Sequence, residues 1–211
     1  MQDILSDINA YCEEHSTVFD PVLSEIERAT FLRTLAPRML SGQLQGSLLT
    51  MISKIKQPEN ILEIGTFTGY SAICLAKGLT PSGKLITIEY DPENALIASE
   101  FIKMSGLGDS IHLMTGDAKN IIPELDQVFD LVFIDADKEA YSMYFDLIID
   151  KCCSGALILA DNVLWSGKIL NKKKDRKTKL IDDFNKKVLE DLRVENVILP
   201  IRDGINLIRK I

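Results

Sequence analysis

From Asn60 onward, short apolar runs rich in β-formers alternate with longer stretches of helical periodicity, and this alternation constrains the fold more than any other feature of the chain. The runs occupy residues 61–64, 84–89, 110–115, 129–134, 155–160, 193–200 and 205–209. Most are continuously apolar, as parallel strands covered on both faces require. Helical patterns near residues 70–78, 92–105, 118–125, 139–152 and 177–190 separate them, with Pro92 suited to a first turn and Gly78 and Gly106 to C-terminal caps. The expected fold is α/β, a doubly wound, Rossmann-like sheet with right-handed crossovers. Little more than Asp203-Gly204 separates the last two runs, so these form an antiparallel hairpin.

The segment before Asn60 reads as helices: Ile4, Leu5, Ile8 and Tyr11 share a face, as do Val22, Ile26 and Ala29 with Leu32 and Arg33, and then Leu44, Leu48, Leu49 and Ile52. We expect a single domain of 211 residues, with 1–57 as a helical cap and 58–211 as the core. A net charge of −7 argues against broad binding to nucleic acid or anionic membranes. The acidic N-terminus is unlike a signal peptide, and no apolar run approaches the roughly 18 residues that span a bilayer. A cytoplasmic location is therefore expected. The four cysteines lack CxxC spacing and read as reduced thiols.

Ligands of open α/β sheets bind beyond the carboxyl ends of the strands. The first run ends in LEIGTFTGYS, where Gly65 and Gly69 let the backbone turn and a ligand approach. This is not the GxGxxG of a pyrophosphate site, and the carboxylate of Glu63 repels a pyrophosphate but suits an amine. Glu89 ends the second run, 24 residues after Gly65, where an acid accepts from two ribose hydroxyls. Asp117 ends the third and can frame an adenine. Each has a plainer reading as a turn residue or helix cap. Three successive strand ends with the same chemistry point to a nucleoside-bearing ligand.

The fourth run leads into Asp135-Ala-Asp137-Lys138 and the fifth into Asp161-Asn162. Neighbouring strands would bring Asp135, Asp161 and Asn162 together, and oxygen donors without Cys or His select a hard cation: Mg²⁺ first, then Ca²⁺ or Mn²⁺. Caps and turns are the alternative. Lys138 favours the cation, because an amine beside a divalent ion releases its proton more readily and can serve as a general base. Trp165, the only tryptophan, follows in a loop and can pack on a planar substrate. Tyr141, Tyr144 and Phe145 read as core. The basic stretch 168–179 reads as a solvated loop leading into a helix, with attraction of an anionic substrate as the alternative.

Through LEIGTFTGYSA, ITIEYDPE, FDLVFIDADK, LADNVLWSGK and PIRDGINL, the chain resembles class I S-adenosylmethionine-dependent, divalent-cation-dependent O-methyltransferases of the catechol and caffeoyl-CoA type. The resemblance implies a seven-stranded sheet of order 3-2-1-4-5-7-6 with an antiparallel last strand, and a homodimer. It assigns a metal to Asp135, Asp161 and Asn162 and the general base to Lys138. It places S-adenosylmethionine against Met39, Ser41, Glu63, Gly65, Ser71, Glu89, Asp117, Ala118 and Asp137. The expected reaction is methyl transfer to a hydroxyl of a small aromatic acceptor, catechol-like or hydroxycinnamoyl. Two alternatives remain open: O-methylation of a modified nucleoside in tRNA, drawn by the basic stretch, and, from another class, an NAD-dependent oxidoreductase using the same sheet and Glu89.

Overall fold

In a computed structural model, which describes residues 2–17 and 20–211, seven strands form one sheet in the order β3-β2-β1-β4-β5-β7-β6. They are β1 Asn60–Ile64, β2 Lys84–Glu89, β3 Ile111–Thr115, β4 Phe129–Ile134, β5 Cys152–Asp161, β6 Val194–Leu199 and β7 Ile205–Lys210. The first five pair in parallel, and β7 runs antiparallel to both β5 and β6. Sequence order, strand type and hairpin all agree with expectation. Among the described residues eight α-helices accompany them: α1 Gln2–Glu14, α2 Pro21–Arg33, α3 Gly42–Lys56, α4 Tyr70–Ala76, α5 Pro92–Met104, α6 Ala118–Ile121, α7 Tyr141–Ile149 and α8 Arg176–Glu190.

The apolar run Leu131–Ile134 of β4 follows from burial on both faces. Val132 and Ile134 join one core cluster with Phe145 and Phe184, while Leu131 and Phe133 join another with Ile73 and Phe101. Successive side chains of a strand point to opposite faces, so a strand that is apolar at every position must be covered twice. Each such side chain contributes about 1.5–3 kcal/mol of transfer free energy. Caps fix the helix starts: Asp91 accepts from Glu93 N at the head of α5, and Asp175 from Thr178 N at the head of α8.

The N-terminal helices depart from expectation. Ile4, Ile8 and Tyr11 of α1 are 62%, 51% and 62% exposed, because α1 lies against α3 and not on the sheet; Leu5 falls outside the residues whose side chains are described. The buried stripe of α2 is Leu23, Ile26 and Thr30, and Leu32 points outward. On α3 the buried face is largely polar: Thr50 Oγ1 donates to Cys74 O (3.2 Å) and Ser53 Oγ to Leu75 O (2.6 Å), stitching α3 to α4. Gly78 is needed for close approach, not as a left-handed cap, since a Cβ there would lie 2.1 Å from the Ser53 carbonyl carbon. The helical stretch expected to run to Cys152 stops at Ile149, and Cys152 already begins β5. All four cysteines are free thiols.

Candidate active site

The carboxyl ends of β1 to β5 and the turn between β6 and β7 open onto one cavity of about 730 Å³. Pockets of roughly 300–1,000 Å³ accommodate drug-sized ligands. Every residue singled out above as a site candidate lines it except Glu63 and Gly69. Among the described residues six non-glycines have positive φ, and four of them, Phe67, Asn162, Trp165 and Arg202, border this cavity. Such strained backbone persists where surrounding contacts hold it, and it gathers at functional sites.

At the β1–β2 end, Gly65 has φ +98°, and a Cβ there would stand 2.1 Å from Asp135 O. Only glycine fits between the ends of β1 and β4. Glu89 is buried, with Oε2 accepting from Phe67 N (2.6 Å) and Oε1 from Asp91 N (2.9 Å). Burial raises its pKa, and the hydrogen bonds from the Asp91 and Phe67 amides oppose the rise. Each oxygen keeps a further lone pair for a ligand hydroxyl. Asp117 and Asp137 do cap, accepting from Lys119 N and Glu139 N, yet both also border the cavity with Ala118. Ser41 heads α3 without a capping bond, so its hydroxyl is not engaged there.

Glu63 sits in the middle of the sheet, wholly buried and behind the cavity wall formed by Ser71. Its Oε2 accepts from Thr87 Oγ1 (2.5 Å), while Oε1 has no partner. Burial pushes its pKa up to about 8; bonding to Ser71 and Thr87 acts against this, and the charges of Asp135 and Glu89 reinforce it. The unfolded chain releases this proton near pH 4.5 and the folded chain holds it to about 8, so folding stability falls as pH rises across that window. Glu63→Gln is therefore expected to flatten the decline in melting temperature between about pH 5 and 8 in metal-free, ligand-free protein. Parallel wild-type and variant curves would refute the assignment.

At the β4–β5 end, register places Ile134 beside Ala160, so Asp135 and Asp161 leave adjacent strands together. Asp135 Oδ1 accepts from Lys138 Nζ at 2.7 Å. The same Nζ lies 2.8 Å from Tyr141 OH, which also reaches Ile134 O (3.1 Å) and Asp161 O (3.0 Å). Tyr141, expected simply as core, thus ties both strand ends to the lysine. Asp161 is buried, and burial first and then the charge of Asp135 push its pKa up to about 6. Its Oδ2 accepts from Gln45 Nε2 and its Oδ1 from Asn162 N, each at 2.7 Å. The Asn162 side-chain amide makes no hydrogen bond to a described residue and lines the cavity.

No three His, Cys, Asp or Glu side chains converge among the described residues. The candidate cation donors are two carboxylates and an amide, a hard-oxygen set in which one carboxylate is destabilised by the other. That donor set fits a divalent cation.

The loop after β5 is pinned to the β6–β7 turn. Val163 N donates to Gly204 O, Leu164 N to Asp203 O and Ser166 N to Asp203 Oδ1. Trp165 is held on this loop with Lys168 Nζ 5.8 Å over its ring. Along the basic stretch, Lys174 pairs with Asp182, Arg176 with Glu139, and Asp175 caps α8, as a loop leading into a helix requires. Sequence reasoning missed Gln45, Arg38 and Arg202. For Arg202 a signal existed: antiparallel pairing of β7 with β5 brings the residues just before Ile205 beside Asp161.

Residues 13–211 match the family model described as O-methyltransferase. Catechol O-methyltransferase of Niastella koreensis is 42% identical over 132 residues, 61% of this chain and 60% of that protein. Caffeoyl-CoA O-methyltransferase 2 of Petunia hybrida is 34% identical over 189 residues, 82% of this chain and 77% of that one. Among solved structures, the SAH-bound Podospora anserina methyltransferase PaMTH1 has a TM-score of 0.92 at 30% identity, covering 99% of this chain and 96% of that chain.

Proposed function

Because the chain belongs to the O-methyltransferase family, we propose that it transfers the methyl group of S-adenosylmethionine to one hydroxyl of a small aromatic acceptor with a neighbouring oxygen, with a divalent cation as cofactor. One observation carries the reading: Asp135, Asp161, Asn162 and Lys138 converge in the same cavity as Gly65 and Glu89. The oxidoreductase alternative gives way to family membership.

Met39, Ser41, Gly65, Ser71, Glu89, Asp117, Ala118 and Asp137 would bind the cofactor, with Glu63 acting from behind Ser71. Asp135, Asp161 and Asn162 would hold the cation, Mg²⁺ before Ca²⁺ or Mn²⁺. A bound divalent cation supplies Lewis acidity that makes an acceptor hydroxyl more acidic, and the sulfonium cofactor supplies an electrophilic methyl. Lys138 accepts the hydroxyl proton at Nζ, whose reach is set by Asp135 on one side and Tyr141 on the other. Trp165 offers an aromatic surface for a planar acceptor. The residues mainly hold nucleophile and methyl in a near-attack arrangement, which alone lowers barriers by about 7–11 kcal/mol in favourable cases. The exposed Phe31, Leu32 and Leu35 give the expected homodimer an apolar face to bury. No helix among the described residues is long and apolar enough to cross a membrane.

Incubation with methyl-labelled S-adenosylmethionine and Mg²⁺ tests the reading against catechols, hydroxycinnamoyl-CoA esters and bulk tRNA. Label is expected in the small vicinal-oxygen acceptors. Label confined to tRNA would transfer the reaction to the nucleoside alternative.

A further inference from the structure

Asp161 Oδ2 accepts its 2.7 Å hydrogen bond from a residue far away in sequence, Gln45 on the first turn of α3. Gln45 is fully buried and is not part of the cavity wall. A buried amide is costly unless both of its ends are paired. Here the other end, Oε1, lies 3.4 Å from Arg202 Nη1, and the same nitrogen donates to Leu40 O at 2.9 Å. One side chain therefore links α3, the end of β5 and the β6–β7 turn.

The second Asp161 oxygen, Oδ1, accepts from Asn162 N. A carboxylate has about four lone-pair sites. With one on each oxygen occupied, rotation of the group about its Cβ–Cγ bond is held from two directions. We propose that Gln45 is a positioning residue of the cation site, fixing the Asp161 carboxylate so that its remaining lone pairs are presented together with Asp135 and Asn162. Arg202 in turn orients the Gln45 amide, leaving its NH₂ group as the end that faces Asp161. The inference rests on the reading of Asp135, Asp161 and Asn162 as cation ligands, and it adds a residue that touches neither substrate nor cation. Groups that orient metal-binding side chains typically change metal affinity 10- to 100-fold when removed.

The test is titration of EDTA-stripped protein with Mn²⁺, followed by electron paramagnetic resonance, for wild type, Gln45→Met, Gln45→Ala and Asp161→Asn. Gln45→Met keeps the length and near-volume of the side chain without its donor. S-adenosylhomocysteine affinity and melting temperature in EDTA are recorded for each. Both Gln45 variants are expected to bind Mn²⁺ about 10- to 100-fold more weakly, with an altered bound-Mn²⁺ spectrum and unchanged affinity for S-adenosylhomocysteine. Asp161→Asn should lose more. A folded Gln45 variant with wild-type Mn²⁺ affinity overturns the inference and leaves the ligand reading standing. Weaker Mn²⁺ binding matched by an equal loss of S-adenosylhomocysteine affinity reports packing alone and also overturns it. A wild type that takes up no Mn²⁺ overturns the ligand reading and the inference with it.

Discussion

Lys138→Met is expected to lower kcat on a catechol acceptor by about two to four orders of magnitude, the range contributed by a positioned general base. The affinities for S-adenosylhomocysteine and Mn²⁺ should not weaken. The argument begins at the end of β4, where Asp135 and Lys138 occupy one short turn and Nζ lies 2.7 Å from the carboxylate. Tyr141 OH approaches Nζ from the other side at 2.8 Å, and its own contacts to Ile134 O and Asp161 O hold it between the two strand ends. The amine is thus carried on rigid backbone beside the candidate cation ligands, as proton removal from a hydroxyl at that place requires. Methionine keeps most of the side-chain volume and cannot accept a proton. Steady-state rates with labelled cofactor, together with Mn²⁺ titration, separate loss of the base from loss of the site. A variant rate within tenfold of wild type would remove Lys138 from the chemistry.

The sequence made legible whatever depends on short-range pattern. Continuous apolar runs mark β1 to β5, and strand order in a doubly wound sheet is enough to bring Asp135 and Asp161 together. Those residues sit at strand ends, and strand ends are where local pattern changes. Gln45 was illegible for the opposite reason: it lies inside a helical stretch read for its Leu44 and Leu48 face, and its partner is 116 positions away. Hydrogen bonds of that span leave no local periodicity. Tyr141 was read by its ring, which is indeed core, while its hydroxyl does the connecting. Glu63 followed a strand-end logic that its position contradicts, because β1 is flanked by both β2 and β4 and its penultimate residue faces interior, not cavity. The apolar face of α1 was legible but its burial was not, since an amphipathic pattern says which side could be covered and not what covers it.

Removal of the proposed divalent cation should have the largest effect of all. EDTA is expected to reduce turnover of a catechol by at least about a thousandfold, since Lewis-acid stabilisation is worth several kcal/mol and each 1.36 kcal/mol is a factor of ten. Added Mg²⁺ should restore wild type and fail to restore Asp161→Asn. That substitution is preferable to Asp161→Ala, which would leave buried Gln45 Nε2 without an acceptor at a cost of about 1–3 kcal/mol. Asparagine removes the charge and retains one oxygen, which can accept from Gln45 Nε2 or from Asn162 N but not from both. The two carboxylates already disfavour one another, with Asp161 pushed up to about 6 by burial and by Asp135, so neutralising Asp161 relieves a repulsion that offsets the lost hydrogen bond in metal-free protein. Its melting temperature in EDTA should stay close to that of wild type, while Mg²⁺ raises the wild-type value alone. The combination is diagnostic: a variant about as stable as wild type in EDTA but unresponsive to Mg²⁺ and inactive has lost a ligand, not a fold. Full activity in EDTA would instead leave these residues as caps and turn formers.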